Sequence, residues 1–119
     1  MTRLPLSAVA ACIFGLAAAS PARAQDWRFC VGIALAAHEA VITDIFVSSA
    51  ESAPLEHRFE AWFRAKKGRT LTFQCPRGSA ERVEALNAQT AALQFNRQMG
   101  FSVSGLAAPD IPGIVGADM

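Results

Sequence analysis

Two cysteines, Cys30 and Cys75, constrain this chain more than any other feature, because they are the pair left once its apolar start is set aside. Residues Met1 to Ala24 carry Arg3, then an uncharged run from Leu4 to Ala19, then Ala22-Arg23-Ala24 in front of Gln25. That is the pattern of a secretory signal peptide with a small-x-small cleavage site after Ala24. Val9-Ala10-Ala11-Cys12 has the look of a lipoprotein processing box, but the apolar run continues past Cys12 through Ile13, Phe14 and Leu16. A signal so short in front of the cysteine would be poor, so cleavage is expected rather than lipid anchoring at Cys12. The run is also shorter than the ~20 apolar residues of a spanning helix, and no second one follows, so no transmembrane segment is expected. A periplasmic or secreted location follows, and in an oxidising compartment an even pair of cysteines in one small domain is most simply a disulfide.

The charge balance excludes one large class of function. Losing Arg3 and Arg23 leaves near-equal numbers of basic and acidic side chains, which gives no electrostatic footprint for nucleic acid. A hydrophobic content of 52% with 18% charged residues is too apolar for a disordered chain, and 119 residues hold one domain at most.

Along the exported part, Phe29, Val31, Ile33 and Leu35 share one parity, which predicts a strand over Trp27 to Leu35 with that face buried. Ala36 to Glu39 is the expected reversal, and Val41 to Val47 the second strand of a hairpin. Ser52 and Pro54 then open a helix that carries Leu55, Phe59, Trp62 and Phe63 on one stripe and stops at Gly68. Leu71 to Cys75 reads as a strand, turned by Pro76 and Gly78 into a helix capped at Ser79 and ending near Met99. Its expected buried stripe is Val83, Leu86, Thr90 and Leu93, with Phe95 and Met99 on a different side. Phe101 to Ser104 alternates as a last strand.

The order β-β-α-β-α-β predicts a single two-layer α+β domain over residues 25–105. It has a four-stranded mostly antiparallel or mixed sheet with both helices on one face, and a flexible tail over 106–119. Right-handed crossovers would put the third strand beside the first and the fourth beside the third, leaving the second at the edge. The two cysteines then lie on neighbouring strands. Their parities conflict, however: Cys75 goes with Leu71 and Phe73, and Cys30 lies opposite Phe29 and Val31, so a bulge or strand end must turn one of them. A face carrying Ile42 and Phe46 would be partly apolar and could pair two copies of the chain.

Chemistry-bearing residues are sparse. Arg77, Gly78, Ser79 and Arg82 could hold a small anion where amides point out of a helix start, although capping alone explains Ser79. Arg64, Lys66, Lys67 and Arg69 read as a solvated helix end. His38 and His57 stand in no metal-ligand spacing, Asp44 reads as a charge guarding an edge strand, and no Cys-x-x-Cys or nucleophile elbow occurs. No metal and no cofactor are expected. The sequence therefore predicts a non-catalytic interaction protein with an envelope or extracellular partner. A binder of small anions or cell-wall fragments comes second, and a thiol or hydrolytic enzyme third.

Overall fold

The computed structural model describes residues 25–116. The expected leader, with Cys12 and the expected cleavage site after Ala24, lies outside the described residues. Residues 26 to 48 form one long hairpin interrupted at its middle. β1 (Asp26–Arg28) pairs antiparallel with β4 (Phe46–Ser48), and β2 (Val31–Ala34) pairs antiparallel with β3 (Glu39–Thr43). Between the pairs Arg28↔Phe46 and Val31↔Ile42, the second limb holds one residue more than the first, which is a bulge. There the Cys30 N–H donates to Thr43 Oγ1 at 3.0 Å, and the Thr43 N–H returns to the Cys30 carbonyl at 3.0 Å. The expected reversal is a single 3₁₀ turn over Leu35–Ala37, closed by His38 at φ 53°.

α1 (Ser52–Lys67) ends at Gly68, as its sequence indicates, and leads to β5 (Thr72–Gln74). α2 (Arg82–Gln98) and β6 (Ser102–Leu106) follow, then a 3₁₀ turn over Ala108–Asp110 and the short α3 (Ile111–Val115). The larger sheet has the order β5-β2-β3-β6, with β6 parallel to β3 and the other neighbours antiparallel. The small α+β domain and its element order are therefore as expected, and the third predicted strand does lie beside the first. The second predicted strand is interior, however, because the last one joins it directly.

That strand order also separates the two helices. The chain crosses from β3 to β5 through α1, then back from β5 to β6 through α2, and reversing direction at constant hand moves the crossover to the other face. α1 covers the face shared by Phe46, Phe73 and Val41, where the Phe59 and Phe73 rings stack with centroids 5.3 Å apart. α2 lies on the opposite face, with the Arg82 guanidinium 5.6 Å over the Trp27 ring and Leu93 beside Ile42 and Val103. Ile42 and Phe46 point to opposite faces and both are buried, so they form no open patch for dimerisation.

The expected face of the first strand holds at Phe29, which is buried, and inverts beyond it, and a glycine explains why. Cys30 and Gly32 are buried while Val31 and Ile33 are only half-buried and Leu35 is exposed. A Cβ on Gly32 would sit 2.5 Å from Cζ of Phe73, so the missing side chain is the seat of that ring. With Gly32 inward, Cys30 shares its face, Cys75 stays in phase with Leu71 and Phe73, and the parity conflict disappears. The cysteines are joined, their Cα atoms 4.2 Å apart. Gly32→Ala is expected to cost about 1–3 kcal/mol through overpacking, and Phe73→Leu in the same chain to recover part of it. Urea denaturation of the two single variants and the double variant measures that coupling.

Two further expectations change. Val83 is exposed, and α2 buries Ala85 and Asn96 instead, with Leu86 and Leu93 half-buried. Beyond Leu106 the chain is not loose as far as residue 116. Ile111, Ile114 and Val115 belong to the main core, and Arg58 of α1 donates to the Val115 carbonyl at 2.7 Å.

Candidate functional site

The stretch Pro76 to Arg82 does not form one site. Gly78 runs so close to β1 that a Cβ there would meet Asp26 Cβ at 2.5 Å, and Ser79 exchanges two backbone hydrogen bonds with Trp27. This pairing delays the helix, which starts at Arg82 rather than at Ser79. The Ser79 hydroxyl donates to Glu84 Oε1 at 2.6 Å and accepts from the Glu81 N–H at 3.1 Å. Arg82 turns toward Trp27, whereas Arg77 and Gly78 line a separate cleft of about 310 Å³. The four residues named for an anion thus fall into two pairs on different sides of β1.

The cleft with Arg77 is organised by Arg28, which the sequence reading passed over. Its Nη1 donates to the Ala50 carbonyl at 2.5 Å. Its Nη2 reaches Ser52 Oγ at 2.8 Å and the carbonyls of Pro76 and Cys75 at 3.1 and 3.3 Å. Arg28 is buried, and its Nε has no hydrogen-bond partner among the described residues. Burial pulls its pKa below the ordinary value, opposed by the carboxylates of Asp26 and Glu51 and reinforced by Arg77. An arginine stays protonated under such a shift. With Asp26 and Glu51 on the same wall as Arg28 and Arg77, the cleft is balanced in charge, so it offers an anion little net attraction. Arg28 acts as a buried clamp between β1, the start of α1 and the segment after the disulfide. The signal for it was an arginine between Trp27 and Phe29 in an apolar strand.

The backbone around the disulfide is fully engaged. The Cys75 N–H donates to Glu56 Oε2 at 2.9 Å, and its carbonyl accepts from Ser52 Oγ at 2.7 Å and from Arg28. Two residues earlier on the same edge, the Phe73 N–H donates to Glu60 Oε2 at 2.9 Å. Two carboxylates one helical turn apart on α1 therefore cap the outward donors of edge strand β5.

His38 sits in the turn with its ring centroid 5.8 Å from that of Phe101, and His57 is exposed on α1. Asp44 lies in the bulge, exposed, and accepts the Ala108 N–H at 3.0 Å. Among the described residues no group of three or more His, Cys, Asp or Glu could hold a metal ion. Arg69 pairs with Glu39, and Lys67 lies 5.6 Å over the Trp62 ring, so part of the basic helix end is tied to its surroundings.

Exposed apolar side chains occur on the α2 side of the sheet. α2 sits over β3 and β6, with Thr90, Leu93 and Arg97 on its flank toward β6. Helical geometry puts Phe95 and Met99 on the opposite flank, toward the half of the sheet that α2 leaves open. Phe95 and Met99 are 59% and 58% exposed, and Leu35, at the far end of β2, is 72% exposed. Ile33, Leu35 and Thr72 line a groove of about 510 Å³ on that open half. No helix among the described residues is long and apolar enough to cross a membrane. Set against models of known families, curated proteins and solved structures, the chain finds no match.

Proposed function

We propose that this protein is exported and works outside the cytoplasm as a non-catalytic binding module for an envelope or extracellular protein. The observation that carries the reading is the exposure of large apolar side chains, Phe95 in α2, Met99 at its C-terminal end and Leu35 in the turn after β2, beside half-buried Ile33. Large exposed apolar side chains gathered on one face, rather than scattered singly, mark contact sites. The opposite face is closed by α1 and α3, so the surface is one-sided. A buried disulfide with both sulfurs' residues at most 1% exposed suits an oxidising compartment, in keeping with the apolar leader.

The test is retention of a partner from the native envelope fraction by the tagged protein. Phe95→Glu with Met99→Glu is expected to weaken retention more than tenfold, since an aromatic anchor at the centre of a contact carries much of its free energy. The same replacements leave the disulfide and the circular dichroism spectrum unchanged. Undiminished retention would remove this surface from the reading. Turnover by the purified chain that vanishes on replacing Asp44 or His57 would favour an enzyme instead.

A further inference from the structure

The two edges of the main sheet are treated differently, and the difference points to a partner. At β5 the outward N–H groups of Phe73 and Cys75 are taken by Glu60 and Glu56, which denies that edge to another strand. At β6 no side chain among the described residues takes up the outward groups in this way. The Ser102 N–H donates inward to the His38 carbonyl at 2.9 Å, and the Leu106 carbonyl accepts inward from the Asp44 N–H at 3.0 Å. Strand alternation then directs the N–H and C=O groups of Val103 and Gly105 outward. This edge is five residues long, with the sequence Ser-Val-Ser-Gly-Leu, and has no charge and no proline. Such an edge is a template for strand addition.

We propose that the β6 edge pairs antiparallel with the β6 edge of a second copy of this chain. A twofold axis through Ser104, perpendicular to the sheet, sets Val103 opposite Gly105 of the other copy. These are the two residues with outward backbone groups, so the pairing forms a closed set of hydrogen bonds around a small serine at the centre. The charges agree with the same axis. A groove of about 290 Å³ beside the edge is lined by Asp44 and Arg97 among others. Asp44 is tied to the Leu106 end, while Arg97 lies next to Gly100 at the Ser102 end. Antiparallel pairing brings Asp44 of each copy to Arg97 of the other, twice per dimer. An unrelated extended peptide would meet these two charges only by chance. The axis keeps both α2 helices on one side, with the Phe95 and Met99 flanks facing away from it, so the inference does not depend on that flank being a binding surface.

Sedimentation velocity of the exported protein over a wide concentration range tests the pairing. The wild type is expected to associate to a dimer. Arg97→Asp is expected to weaken dimerisation about 10- to 100-fold, because two exposed attractions become two repulsions. Asp44→Arg added to Arg97→Asp restores it toward wild type. Val103→Pro removes an N–H that no ladder inside the subunit uses and is expected to give a monomer. Should Val103→Pro disturb the fold by circular dichroism, the charge-swap pair decides alone. A wild type that stays monomeric at every concentration overturns the proposal. So does an Arg97→Asp chain that dimerises as wild type does.

Discussion

Replacing Arg28 by methionine is expected to lower the stability of the domain by about 3–5 kcal/mol, although the substitution preserves side-chain bulk in a buried position. The guanidinium supplies donors to three carbonyls, of Ala50, Cys75 and Pro76, and to the Ser52 hydroxyl. Methionine supplies none. Each buried acceptor left without a partner costs about 1–3 kcal/mol, reduced where water can enter from the adjoining cleft. The desolvation already spent on the charge is recovered by the variant, which keeps the net loss below the simple sum. Arg28→Lys should recover less than half of it, because a single ammonium cannot span the Ala50 and Pro76 sides of the fork. Equilibrium unfolding in urea under oxidising conditions measures both. A loss under about 1 kcal/mol for the methionine variant would show that the clamp contributes little beyond its packing.

Replacing both cysteines by alanine is expected to cost about 4 kcal/mol from the unfolded-state freedom of the loop. The bond spans 45 positions, from the bulge of the hairpin to the residue after β5, and the loop it closes holds β2, β3, β4, α1 and β5. A domain of this size has a total stability of about 5–14 kcal/mol, so the double variant should lose between about a third and most of it. Because the sulfurs are buried, a mild reductant should act on the native protein only as fast as the surrounding structure opens. Thermal unfolding with and without the bond, and the rate of thiol release under native conditions, are the measurements. A shift in the unfolding midpoint of only a few degrees would contradict the loop argument.

How much of this was legible in the sequence depends on how local each signal is. The α1 stripe of Leu55, Phe59 and Phe63 and its stop at Gly68 are properties of one segment, and they are found where spacing puts them. The disulfide is also as expected. Gly32 misled because a glycine contributes nothing to an apolar pattern, whereas here it makes room for a ring supplied by Phe73 from another strand. The helix faces differ from expectation together with the strand order, since moving β6 from beside β5 to beside β3 reverses the second crossover. Ile111, Ile114 and Val115 did carry a helical spacing, masked by Pro112 and Gly113 among them. Arg28, the organising residue of the candidate cleft, was visible only as an odd charge in an apolar strand. The hydrogen bonds of Glu56 and Glu60 to β5 require knowing which edge α1 overhangs, which no local pattern carries.

The covalent bond joins positions 30 and 75, and α2 with β6 lie past the second of them. The main cluster of buried side chains takes Leu106 from this arm and nothing from α2. The chain then returns to that cluster through Ile111, Ile114 and Val115 of α3, so this arm is held at both ends, by the disulfide before it and by α3 after it. Between those anchors β6 adds its own ladder to β3, which fastens the arm to the middle of the sheet. α2 is thus positioned by its two fixed ends without a share in the main cluster of buried side chains.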